Sequence, residues 1–250
     1  MILLLDVGNT HTHLGLADGE RVRKQANIRT ADWFDQMAGR RVKEFVKGHS
    51  LAGAALASVV PRATAPIRRC VKQGWGVGTF QLTAKTVGNL GIDYPRPETI
   101  GADRLANAIA VKHRYGAPAV VVDFGTAVTF DVVNREGNYA GGIIAPGLSA
   151  LTTYLHEKTA LLPAITIREV HSAIGKSTRE AMLIGAVHGY RGLIRELLLE
   201  LKRELHSPSL RVVATGGYAG LIAAKLPEIQ QVDPLLTLEG LRLAWIAAHR

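Results

Sequence analysis

Two short segments of this 250-residue chain carry the same set of chemistry-bearing residues. Ile2-Leu-Leu-Leu-Asp6-Val7-Gly8-Asn9-Thr10 leads into an alternating stretch that ends at Asp18. Ala119-Val-Val-Val-Asp123-Phe-Gly125-Thr126-Ala127 leads into Val128–Val133. In each, an Asp closes an apolar run, a Gly follows two residues later, and a hydroxyl residue comes soon after. Backbone N–H groups of a Gly-bearing turn can reach phosphate oxygens because no side chain stands in the way. The carboxylate can hold a cation or its water shell and so offset phosphate charge. Asn9 and Thr10 add side-chain donors. Asp, Gly and Asn also dominate ordinary hairpin turns, so a single copy reads equally well as a turn. Two copies at corresponding places favour the phosphate reading. A third candidate is Gly101-Ala102-Asp103-Arg104, which follows Tyr94-Pro-Arg-Pro-Glu-Thr. An Asp beside an Arg at the lip of a cleft can orient or deprotonate an alcohol while the Arg pairs with a carboxylate. Asp103 near a helix start is also a natural N-cap, and spacing alone favours the cap.

The elements that must position these residues alternate between strand and helix. Each apolar run reads as a buried strand, and the chain then returns, so each unit is predicted to be a β-hairpin with a polar tip. In the first half, residues 31–47 are predicted helical, Leu51–Val60 is an apolar strand, and Pro61 opens a further helix. In the second half, 178–205 is a long helix, with Met182, Ala186, Tyr190, Leu193 and Leu197 at spacings of three and four. Arg211–Thr215 is a short strand closed by Gly216-Gly217, and Leu238–His249 is a final helix. The implied fold class is α/β, with two related lobes facing each other across a cleft, 1–118 and 119–250.

Composition narrows the function classes. Hydrophobic residues make up 47% and charged residues 20%, which excludes a disordered chain. The one cysteine, Cys70, has no partner for an internal disulfide, which suits a reducing compartment. The first residues lack the basic lead-in of a signal peptide, and the uncharged stretch at 139–155 contains Pro146 and several Gly, which suit a turn rather than a membrane span. A cytoplasmic protein with no membrane partner is expected. Net charge is +9, and residues 1–118 hold 17 Lys and Arg against 9 Asp and Glu. These charges are dispersed with little aromatic interleaving, which favours an anion-using enzyme over a nucleic-acid binder. Gly175-Lys-Ser-Thr178 imitates the end of a P-loop, but Val170 stands where the earlier glycine is required. His156-Glu157 lacks the second His of a zinc-protease pattern, and no catalytic zinc is expected.

Taken together, the chain resembles the type III pantothenate kinases of the acetate kinase/sugar kinase/Hsp70/actin superfamily. The resemblance runs through Asp6–Thr10, Ser58-Val-Val-Pro61, Gly101–Arg104, Asp123–Thr126, Gly141-Gly-Ile-Ile-Ala-Pro-Gly147, Thr215-Gly-Gly217 and Asp233-Pro-Leu-Leu-Thr-Leu-Glu-Gly240. It implies two actin-like, ribonuclease H-like lobes with an ATP cleft between them, and transfer of phosphate from ATP to pantothenate at the first step of coenzyme A biosynthesis. By the same resemblance, Asp6, Val7, Gly8, Asn9, Thr10, His11, Thr12, His13 and Thr126 bind ATP. Asp103 is the proton acceptor, and Tyr94, Gly101, Ala102, Asp103, Arg104 and Thr178 contact pantothenate. Asp123 is the ligand of a monovalent cation, potassium or ammonium, and Mg²⁺ accompanies ATP at Asp6. His11 and His13 occupy variable positions of the ATP motif, and Ser177 replaces a more usual Asn. A homodimer is implied, and Gly185 and Gly189, one turn apart on the long helix, suggest a close approach either to the chain's own sheet or to a second copy.

Overall fold

The computed structural model describes residues 1–35 and 37–249. Strands β1 (Ile2–Val7), β2 (His11–Ala17) and β3 (Val22–Arg29) form an antiparallel meander. Helix α1 (Met37–Val46), strand β4 (Gly53–Ser58), helix α2 (Pro61–Trp75) and strand β5 (Thr79–Gln81) complete a sheet of order β3-β2-β1-β4-β5. Strand β6 (Gly91–Ile92) and helix α3 (Ala102–Tyr115) follow. A second meander, β7 (Ala119–Phe124), β8 (Ala127–Val133) and β9 (Asn138–Pro146), repeats the first. Then come α4 (Leu148–Lys158), α5 (Thr178–Glu204), β10 (Arg211–Gly216), α6 (Ala219–Ala223), β11 (Gln231–Val232) and α7 (Leu236–Ala248). The second sheet has the order β11-β10-β7-β8-β9-β6, which is the first order with β6 added at its edge.

Both sheets are covered on both faces, which is why their central strands read as unbroken apolar runs. Side chains alternate across a strand, so Leu3, Leu5 and Val7 pack outward under α1 and α2, while Ile2 and Leu4 face inward. Likewise Val120, Val122 and Phe124 pack outward under α5 and α6, while Ala119 and Val121 face inward. The inward faces share one core with α3 and α7, which pack against each other between the sheets. Helix α3 contacts β7 and β8, and α7 contacts β1 and β4, so each helix crosses to the sheet built by the other half of the chain.

Several expectations change in detail. The helix expected over 31–47 is a 3-10 turn, Thr30–Trp33, followed by α1. The break follows from Asp32 and Trp33, which are drawn into the core, and Gln36 lies outside the described residues. The stretch expected to be a turn around 139–155 is strand β9 and helix α4, with Pro146 ending the strand. Pro61 does open α2, at its first turn.

Candidate active site

The two-residue period that buries Leu4 and Val121 carries on to the strand ends. Asp6 lies on the inward face of β1 and Asp123 on the inward face of β7, so both carboxylates face the layer of α3. Asp103 sits in the first turn of α3. Neighbouring carboxylates add to burial at two of them: Asp103 and Asp123 raise the pKa of Asp6, and Asp103 raises that of Asp123. Burial is the larger cause in both cases. It lifts Asp6 well above the ordinary carboxylate range, lifts Asp103 as well, and pushes Asp123 up to about 6. Three carboxylates that resist ionising in one cleft form a site whose charge balance calls for a cation.

The loops above them meet. Thr10 Oγ1 and Thr126 Oγ1 are 3.1 Å apart, so the tips of the β1–β2 and β7–β8 hairpins touch. Gly8 N–H closes the first turn on the His11 carbonyl at 3.0 Å, leaving Asn9 and Thr10 exposed at the tip. His11 is exposed, and His13 Nδ1 lies 2.8 Å from Asn27 Oδ1. Val7 and Thr12 point away from the cleft: Val7 is in the outer core, and Thr12 is held by Thr30 and the Trp33 indole, both at 3.1 Å. Any contact they make with a ligand is through backbone.

Asp103 is not the helix cap. The N-cap is Gly101, and Asp103, the second helical residue, accepts a hydrogen bond from Arg104 N–H at 2.8 Å. A Cβ on Gly101 would stand 2.5 Å from Asp103 Oδ1, so glycine there leaves room for this carboxylate pose. Arg104 turns to the second lobe. Its Nε donates to Asp131 Oδ1 at 2.6 Å, its Nη2 to the Phe130 carbonyl at 3.3 Å, and its guanidinium lies 5.7 Å from the centre of the Tyr139 ring. Tyr94 packs edge-on against Tyr139, which places it beside this group. Ala102 is buried beneath.

Thr178 is the one predicted site residue that stands apart. It is exposed at the start of α5, on the far side of the second sheet, behind the Ser177 cap that accepts from Glu180 N–H. Three residues that sequence reading missed complete the cluster. Asn107 donates from Nδ2 to Asp123 and to Asp131, at 3.3 and 3.1 Å. Asp131 is fully buried, and Gly216, at φ +90°, lies against Asp123, where a Cβ would meet Oδ1 at 2.6 Å. Two signals were available: Asn107 is one helical turn after Asp103, and Asp131 is a charge inside an apolar strand.

The donor set suits cations that are shared with phosphate. The Asp6 carboxylate receives no hydrogen bond from the described residues, and no three His, Cys, Asp or Glu among them converge closely enough to hold a metal alone. Mg²⁺ is commonly held by one or two carboxylates together with substrate phosphates. Asp123, a hard oxygen donor beside it, fits an alkali ion.

Residues 2–200 match the family model of type III pantothenate kinase. A type III pantothenate kinase of Akkermansia muciniphila is 45% identical over 97% of each chain. One from Methylacidiphilum infernorum is 42% identical over 97% of this chain and 87% of its own. Among solved structures, the ethanolamine utilization protein EutJ of Carboxydothermus hydrogenoformans shares the fold, with a TM-score of 0.56 at 18% identity over 97% of this chain and 89% of its own. The α/β fold is shared with that structure, and the chain belongs to the type III pantothenate kinase family.

Proposed function

We propose that this protein transfers the γ-phosphoryl group of ATP to the primary hydroxyl of pantothenate, giving 4'-phosphopantothenate on the route to coenzyme A. The observation that carries this reading is the gathering of Asp6, Asp103 and Asp123 on one cleft beneath two touching hairpin tips. ATP lies between the lobes, 1–118 and 119–250, with its phosphates against the turns Gly8–Thr10 and Gly125–Thr126. The hydroxyl oxygen of pantothenate forms the new bond to the γ-phosphorus, the bond to the β,γ-bridging oxygen breaks, and Asp103 accepts the hydroxyl proton. Burial has already made Asp103 more willing to hold a proton, which suits that role. Phosphoryl transfer has a loose transition state, so alignment and charge compensation matter more than base strength. Bound cations, Mg²⁺ at Asp6 and potassium or ammonium at Asp123, supply that charge compensation. Arg104, anchored on Asp131, pairs with the pantothenate carboxylate, and Tyr94 closes the same end.

The protein works as a cytoplasmic homodimer. Among the described residues no helix is long and apolar enough to cross a membrane. A Cβ at Gly185 or Gly189 would meet nothing within 4 Å, so the close approach these glycines suggest is not to the chain's own sheet. Helix α4, which packs against α5, exposes Tyr154 and Leu155, at 63% and 40%, an apolar surface that a second copy would cover. Pantothenate binds near the boundary of the pair, which brings Thr178 to the site. Gly189→Leu is then compatible with the monomer fold and should dissociate the pair and weaken pantothenate binding together. Light scattering that shows an active particle of about 27 kDa in the unmodified protein would sink the dimer.

The direct test is turnover of ATP with pantothenate, with KCl or with NaCl at equal ionic strength. Pantothenate-dependent ADP release that rises with potassium is expected. Its absence, or equal turnover of unrelated small alcohols, would overturn the assignment.

A further inference from the structure

We infer that Asn107 is a positioning residue that locks the Asp123 carboxylate and the Arg104 guanidinium into one geometry, and that Thr237 of α7 holds its amide in place. This rests on the pantothenate kinase reading above and assigns a role to residues that make no contact with substrate in it. Asn107 is buried, 1% exposed, on α3. Its side chain reaches three elements: Asp123 Oδ2 on β7 at 3.3 Å, Asp131 Oδ2 on β8 at 3.1 Å, and Thr237 Oγ1 on α7 at 2.8 Å.

The hydrogen bonds of the amide run one way. Asn107 Nδ2 donates to Asp123 and to Asp131, so both amide hydrogens are spent on carboxylate oxygens. The amide oxygen then faces Thr237, whose hydroxyl must donate. Asp131 gives its other oxygen to Arg104 Nε at 2.6 Å. One amide therefore stands between the carboxylate assigned to the monovalent cation and the ion pair that aims the substrate arginine. A flipped amide would present oxygen to two carboxylates, so the carboxylates set its sense, and the Thr237 hydroxyl completes the arrangement by donating to the oxygen that faces α7.

The register of α7 over α3 supports a fixed rather than incidental contact. One turn after Thr237, Gly240 meets the backbone beside Asn107: a Cβ there would lie 1.8 Å from the Ala106 carbonyl oxygen. The two helices touch main chain to main chain at that point, so Thr237 is held over Asn107 within the helix contact itself.

Thr237→Val and Thr237→Ser separate positioning from packing. Valine keeps the shape and loses the donor, while serine keeps the donor and loses a methyl. Losing one buried hydrogen bond corresponds to roughly a 3–10-fold effect. Thr237→Val should therefore raise both the pantothenate KM and the potassium concentration for half-activation by about that factor, with kcat within about twofold. Thr237→Ser should match the unmodified protein. Asn107→Ala should act in the same direction by about 10–100-fold. A readout without turnover runs alongside: the rise in Tm on replacing NaCl by KCl, without ATP, should shrink in Thr237→Val and persist in Thr237→Ser. If Thr237→Val leaves KM and the potassium response unchanged in a protein that phosphorylates pantothenate, the inference is wrong. The same holds if it merely lowers Tm equally in both salts. If the unmodified protein does not phosphorylate pantothenate, the functional reading fails, and the KCl melting comparison still decides the role of Thr237.

Discussion

Laid over each other by register, the β1–β2 and β7–β8 hairpins pair Asp6 with His13 and Asp123 with Thr129. Two rungs deeper they pair Leu4 with Gly15 and Val121 with Asp131. At Gly15 the inward space is taken by apolar side chains: a Cβ would meet Leu4 at 3.2 Å and Leu238 of α7 at 3.3 Å. At Asp131 the equivalent space holds Arg104 and Asn107 of α3. The same hairpin thus rests on an apolar floor in one lobe and on a hydrogen-bonded polar floor in the other. Asp6 accordingly has no fixed donor among the described residues, whereas Asp123 has Asn107 behind it. A carboxylate without a fixed partner suits an ion that arrives with ATP, and one held from behind suits a site of set size.

The largest effect should come from the residue that stands between the two hairpins. Asp103→Asn keeps an oxygen that can accept from Arg104 N–H, so the start of α3 should survive. Turnover should fall about 10²–10⁴-fold, the usual cost of losing a positioned base. Activity within a few-fold of the unmodified protein, in a steady-state assay, would remove Asp103 from that role.

Next is the polar floor itself. Asp131→Ala leaves Arg104, whose side chain is only 13% exposed, without its charge partner. Removing one member of a buried pair costs more than the pair contributes, here about 3 kcal/mol of stability. Urea denaturation should show this loss, and the pantothenate KM should rise with it because Arg104 is no longer aimed. Unchanged stability would mean that Arg104 finds another partner and that the second lobe does not depend on this floor.

The charge burden of Asp123 predicts a pH effect of opposite sign. Its pKa of about 6 in the fold lies above the ordinary 3.8, so the folded state holds the proton more tightly. Stability from this group is therefore full below about pH 4, is lost as pH rises to about 6, and stays low above that. Asp123→Asn has no such step. Without ATP or potassium it should be more stable than the unmodified protein by on the order of 2 kcal/mol at pH 7.5, and this difference should narrow at pH 4.5. Equal melting curves at pH 7.5 would show that Asp123 is not under electrostatic strain in the empty cleft.

How much of this was legible in the sequence differs between the two floors. The hairpins were legible because Ile2–Leu5 and Ala119–Val122 are continuous apolar runs, and only strands buried on both faces need that pattern. Asp6 and Asp123 stood out as polar ends of those runs. Asn107, Asp131 and Thr237 did not, because Asp131 and Thr237 lie 24 and 130 residues from Asn107 along the chain and meet it only when α3 and α7 cross between the sheets. Asp103 was recognisable as part of a motif, but its place inside the helix, with Gly101 as cap, depends on backbone geometry that Asp and Gly both permit. Thr178 is a different case: the family resemblance assigns it to substrate, and its helix packs on the outer face of the second sheet, so that role depends on the proposed second copy.

The smallest expected effect tests the apolar floor. Gly15→Ala places a methyl at 3.2 Å from Leu4 and 3.3 Å from Leu238, closer than ordinary van der Waals contact, so one of them must give. Overpacking of this kind costs about 1–3 kcal/mol. Replacing a strand glycine recovers roughly 0.5–1 kcal/mol of conformational entropy. The net loss should be about 1 kcal/mol, a fall of roughly 2–4 °C in Tm for a chain of this size. Because no polar group lies on this floor, the potassium response and the pantothenate KM should stay as they were. If both rise when Tm falls, then Leu238 has carried the disturbance to its neighbour Thr237, and α7 couples the two floors instead of separating them.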